Sequence, residues 1–78
     1  MKFKELDTVV LDRDVPELGL RRGDLGAVVQ VYPPDGLEVE FVTAAGRTQA
    51  LAELRQTDLR AVGAEDLVAV RTLVRGAA

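Results

Sequence analysis

The sequence predicts a small all-β domain: five short strands around one core, with a short helical turn before the last strand and a C-terminal extension. Apolar residues alternate with polar ones in steps of two from Leu37 to Val42, the period of a half-buried strand. β-branched residues gather in short runs such as Leu25 to Tyr32, where they fit a pleated surface. Each run is closed by Gly, Pro or Asp, the residues that turn a chain.

Leu6 to Leu11 (LDTVVL) reads as the first strand, on the strength of its three β-branched residues. The charged stretch Asp12 to Gly23 holds Pro16 and two glycines, so no continuous helix is expected there. It reads as a long loop, with Val15, Leu18 and Leu20 able to tuck inward. Leu25 to Tyr32 is the second strand, and Pro33-Pro34-Asp35-Gly36 carries the Asp-Gly signature of a tight reversal. The returning arm, Leu37 to Val42, places Leu37, Val39 and Phe41 on one face and Glu38 and Glu40 on the other.

Ala44-Ala45-Gly46 makes the next reversal, and Arg47 to Leu54 returns with Ala50, Ala52 and Leu54 on one side. The span between breakers is short for a helix, so a strand is expected. Gln56 to Leu59 reads as one helical turn capped by Thr57 or Asp58, and Leu59 to Val62 as a short last strand. Five such strands suit an SH3-like barrel over residues 1–63. Residues 64–78 then form a tail. Its core, LVAVRTLV, fits a strand with Val68, Val70, Thr72 and Val74 on one face, or a helix with Leu67, Val70 and Val74 together. Its β-branched residues favour extended chain. Lying beyond the fifth strand, it is expected to dock on the barrel or on a partner.

With 78 residues the chain is one domain near the lower limit of unaided folding, where roughly 60% of the unfolded surface is buried. Hydrophobic residues make up 47% of it, enough for a packed core. No His, Cys, Ser, Asn or Trp is present. That excludes Ser-His-Asp, Cys-His and His-metal chemistry within the chain, and it removes the side chain that titrates near neutrality. Disulfides are excluded as well, so packing alone must hold the fold. The expectation is a protein that is not an enzyme and takes no cofactor. A net charge of −3 disfavours phosphate backbones, so nucleic acid is not an expected partner. No window approaches the ~20 apolar residues of a membrane span, and the first residues lack a secretory stretch, so the expected location is the cytoplasm.

The other motifs have plain structural readings. In Gly23-Asp24-Leu25-Gly26-Ala27-Val28-Val29 the glycines suit a sharp bend into a strand. Asp12, Asp14 and Glu17 crowd one loop, yet their spacing is not that of a calcium loop, so pairing with Arg13, Arg21 or Arg22 is expected and no metal. Glu38 and Glu40 read as a solvated sheet face, and Tyr32 as a residue closing one end of the barrel. Arg22-Gly23-Asp24 spells an adhesion tripeptide that recurs by chance.

The phrases KELDTVVLDRDVPELGLRRGDLGAVVQVY, LEVEFVTAAGRTQAL and LRAVGAEDLVAVRTL, in this order, resemble the family of small bacterial proteins catalogued as domain of unknown function 4926. The likeness is most specific in Leu6-Asp7-Thr8-Val9-Val10, Gly23-Asp24, Gly26 and Val39-Glu40-Phe41-Val42-Thr43. It implies an SH3-like barrel and no particular activity. A weaker similarity of Gly19 to Val29 is to the SH3-like part of nitrile hydratase β-subunits, non-catalytic partners of a metal-bearing chain, which implies an accessory role by analogy.

These readings converge on a protein-interaction module, an accessory subunit or antitoxin-like partner of another bacterial protein, or a homo-oligomer formed through the C-terminal segment. The expected contact residues are Leu67, Val68, Val70 and Val74 of the tail with Leu18, Leu20, Arg21 and Arg22 of the loop. The alternative is a KOW-like nucleic-acid-binding barrel using Arg21, Arg22, Arg47 and Arg55. The acidic balance weighs against it, as do aromatics limited to Tyr32 and to Phe3 and Phe41, both expected in the core.

Overall fold

The computed structural model describes residues 1–73. Five strands, β1 (Thr8–Leu11), β2 (Leu25–Tyr32), β3 (Gly36–Val42), β4 (Thr48–Arg55) and β5 (Leu59–Ala61), form one antiparallel sheet in the order β4-β3-β2-β1-β5. Single 3-10 turns stand at Pro16–Leu18 and Gln56–Asp58. No helix among the described residues is long and apolar enough to cross a membrane.

Alternation decides which face is inside. Leu37, Val39 and Phe41 of β3 and Ala50, Ala52 and Leu54 of β4 are all buried, in register across the pair as Leu37↔Leu54, Val39↔Ala52 and Phe41↔Ala50. Val28, Val9, Leu11 and Leu59 complete the same cluster with Phe3, Val15 and Leu20. Each fully buried aliphatic side chain contributes about 1.5–3 kcal/mol, more than a surface ion pair at about 0–1 kcal/mol, so this cluster dominates the stability. Gly26 lies in β2 against Val39 and Phe41 of β3. A Cβ there would lie 2.6 Å from Val39 Cγ1 and 2.9 Å from Phe41 Cε1, so the position has room only for glycine.

β3 begins one residue early, at Gly36, β4 is shifted by one residue to Thr48–Arg55, and three further details depart from the expected elements. β1 begins at Thr8, not Leu6: Leu6 has φ 76° and is exposed, with its N–H donating to the Val28 carbonyl at 2.8 Å. A left-handed residue ends strand geometry, and the β-branched run starts only after it. β5 stops at Ala61, one residue early. The hydrogen-bond ladder does not close on itself, because no strand pairing joins β4 to β5. The chain passes from one edge strand to the other through the 3-10 turn alone, and Leu54 and Leu59 both belong to the buried cluster. That turn is held by Asp58, whose Oδ2 accepts the Arg55 N–H at 2.9 Å and whose Oδ1 accepts Arg13 Nε–H at 2.8 Å.

Candidate interaction surface

The surface is built from the turn that feeds β2. Gly23 has φ 98°, a conformation that costs glycine nothing, and it folds the chain so that the Asp24 N–H donates to the Arg21 carbonyl at 3.0 Å. In return the Arg21 N–H donates to Asp24 Oδ2 at 2.8 Å. The Asp24 carbonyl accepts the Leu11 N–H at 2.8 Å, tying the turn to β1. The carboxylate therefore accepts one backbone N–H, and the backbone that carries it is tied to Arg21 and Leu11.

Into it reaches Arg71, from the far end of the chain. Its Nε–H donates to Asp24 Oδ1 at 2.8 Å, and its Nη2–H donates to Oδ2 at 2.6 Å and to the Gly19 carbonyl at 3.1 Å. Side-chain exposure is only 27% for Arg71 and 18% for Asp24, so the pair is shielded from solvent more than an ordinary surface bridge. Burial pushes the Asp24 carboxyl up, but hydrogen bonds from Arg71 and from the Arg21 backbone, with the charges of both arginines, outweigh it and hold the group below its usual range.

A second clamp stands at the start of the tail. Arg60 Nη1–H and Nη2–H donate to Asp66 Oδ2 and Oδ1 at 2.8 and 3.0 Å, and the Gly63 N–H also donates to Asp66 Oδ2. The Arg60 bond and the Gly63 N–H together lower the Asp66 carboxyl. Between the clamps the chain is neither strand nor helix. Leu67, Val68 and Val70 there are 91%, 71% and 99% exposed, while Leu73 is half-buried. The stretch from Ala69 to Leu73 lines a groove of about 480 Å³ against Leu20, Phe41, Val42 and Arg47.

The remaining expected contact residues divide. Leu20 is buried in the core beside Val15, whereas Leu18 is partly exposed. Arg21 and Arg22 are exposed. Arg22 Nε–H donates to Asp12 Oδ1 at 3.1 Å, and its backbone N–H donates to Asp14 Oδ1 at 2.8 Å, so of the loop carboxylates Asp12 is ion-paired with arginine, while Arg13 pairs outside the loop with Asp58. Val74 lies outside the described residues. The four arginines of the nucleic-acid reading are not gathered on one patch. Arg47 precedes β4 and Arg55 ends it, at opposite ends of an eight-residue strand. Tyr32 stands half-exposed at the end of β2, and Glu40 accepts the Thr48 hydroxyl at 2.6 Å. Sequence reasoning missed Asp24, Asp66, Arg60 and Arg71 as the residues that fix the surface. The Asp24–Arg71 pair spans 47 positions, beyond any local pattern.

The fold and this surface define a small antiparallel all-β domain with its C-terminal segment strapped across one groove. The chain belongs to the family described as Domain of unknown function (DUF4926), whose model matches residues 5–61. The strap, residues 66–73, lies beyond that span. No curated protein and no solved structure matches the chain.

Proposed function

We propose that this protein is a non-catalytic protein-interaction module, an accessory or antitoxin-like partner of another bacterial protein, working in the cytoplasm. In this reading the curled sheet is an SH3-like barrel, and the segment from Leu67 to Val70 is what it presents. One observation carries the reading: three large aliphatic side chains stand 71–99% exposed on a segment clamped at both ends by paired arginine and aspartate. A free tail would pay ordering entropy on binding, of order 1–2 kcal/mol per residue, and a segment already fixed at Asp66 and Arg71 pays less. Adjacent exposed aliphatics on such a segment suit a complementary apolar pocket.

The test is affinity capture from the native host with wild type and an L67D/V70D variant, followed by titration of the purified pair. Wild type is expected to retain a partner that the variant binds at least about tenfold more weakly, a loss of ~1.4 kcal/mol or more. Equal affinity of the two proteins for every captured partner would refute the reading.

A further inference from the structure

We propose that the groove beneath the strap is a binding site for an extended peptide segment of another protein carrying a single arginine, and that Arg71 occupies it in cis in that ligand's place. The proposal rests on the interaction reading above and adds the partner's chemistry to it.

The acceptor side exists without Arg71. Asp24 is oriented by the Arg21 N–H and by its own backbone bonds to Arg21 and Leu11. The Gly19 carbonyl belongs to a turn closed by the Gly19 N–H on the Pro16 carbonyl at 3.0 Å. A carboxylate and a carbonyl fixed in this way form a preorganised receptor, which lowers the cost of binding. The geometry also selects the ligand. Nε and Nη2 meet the two carboxylate oxygens while Nη2 reaches Gly19 as well, a planar fork that guanidinium supplies and an ammonium does not.

The occupant in place is weakly tied. The strap adds no strand pairing to the sheet, and Leu67, Val68 and Val70 contribute little burial. Beyond the Arg60–Asp66 clamp at its start, its described contacts with the groove are those of Arg71 and the half-buried Leu73. Next to the clamp, the groove of about 480 Å³, whose other wall is the strap itself from Ala69 to Leu73, offers the 40% exposed Leu25 and the 55% exposed Val42 to apolar neighbours of an incoming arginine. Arg47 lines this groove and Arg21 the hollow beside it, so a run of basic residues is repelled and a lone arginine is accepted. A second copy of this chain is the poorer occupant, because its own strap is tethered beside its own Asp24 and closes there at high effective concentration.

The experiment uses full-length R71A, which frees the clamp, and the synthetic peptide LVAVRTL, the strap's own sequence, as probe. R71A is expected to bind the peptide saturably by calorimetry, and wild type at least about tenfold more weakly because Arg71 competes. Replacing the peptide's arginine by lysine, or adding D24N to R71A, should each lower affinity at least about tenfold; asparagine keeps the oxygen that accepts the Arg21 N–H. A penta-arginine peptide should not compete. Circular dichroism confirms that each variant is folded. Equal binding by wild type and R71A, indifference to lysine, no binding by a folded R71A, or a wild-type dimer abolished by R71A would each overturn the proposal. Loss of partner capture in L67D/V70D with no peptide binding would overturn the groove alone. Peptide binding with capture unchanged would uphold the groove and remove the role given to Leu67 and Val70.

Discussion

The hairpin of β3 and β4 and the strap from Asp66 to Leu73 are both rich in apolar residues, and they end in opposite environments. In β3, Leu37 and Val39 are fully buried; in the strap, Val70 is 99% exposed. The difference lies in backbone partners. β3 has β2 on one side and β4 on the other, so its alternating side chains are carried to a shared face, with one register shift in each pairing, between Val28 and Gln30 of β2 and between Phe41 and Val42 against β4. The strap has no ladder to fix which side faces inward, and its position is set by two salt bridges. Apolar content marks a segment as able to be buried, whereas pairing decides whether this chain or another does the burying.

The contrast can be broken most severely in the sheet. Leu37→Ala should destabilise the fold by about 2–5 kcal/mol, read by urea or thermal unfolding, since it leaves a cavity under a fully buried site. A smaller effect is expected at Asp58, which caps the turn between β4 and β5 and binds Arg13. Removing a cap by Asp58→Ala costs about 1 kcal/mol. Burial raises the Asp58 carboxyl, but the Arg55 N–H and Arg13 hydrogen bonds and the nearby charges prevail and lower it below the usual 3.8. A carboxyl lowered in the folded state stabilises above its unfolded pKa, and that contribution is lost as pH falls through the folded value. Wild type should therefore lose stability on acidification below roughly pH 4, and the alanine variant less steeply over the same range. The smallest effect belongs to the strap. L67D/V70D should unfold within about 0.5 kcal/mol of wild type, because neither side chain is packed. A larger loss would mean that the strap supports the core.

Much of the sheet was legible from the residues. β2 has the bounds its β-branched run predicts, and the alternation of Leu37, Val39 and Phe41 faces the core as read. Phe3 and Phe41 are both buried. The capping turn was legible with Thr57 or Asp58 as its cap; Asp58 does it, from the third position of the turn and not from its N-cap, by accepting the Arg55 N–H. Leu6 was misplaced, since leucine, unlike glycine or asparagine, gives no sign of a positive φ. Neither end of the strap was legible. Asp66 and Arg71 are held by Arg60 and Asp24, and which of several acids meets which of several arginines depends on how the sheet folds, not on spacing along the chain. The exposed aliphatics between them were legible as candidates for contact, because the extension follows the last strand of the sheet.

Residue-resolved amide hydrogen exchange of the full chain tests the central contrast most directly. Val39 and its neighbours in β3 should exchange only through global unfolding, while the amides of Leu67 to Val70 exchange orders of magnitude faster, near the rate of an open chain. Protection of Leu67 to Val70 matching that of β3 would contradict the account, because it would show the strap to be an integral part of the sheet's core instead of a surface held out for another protein.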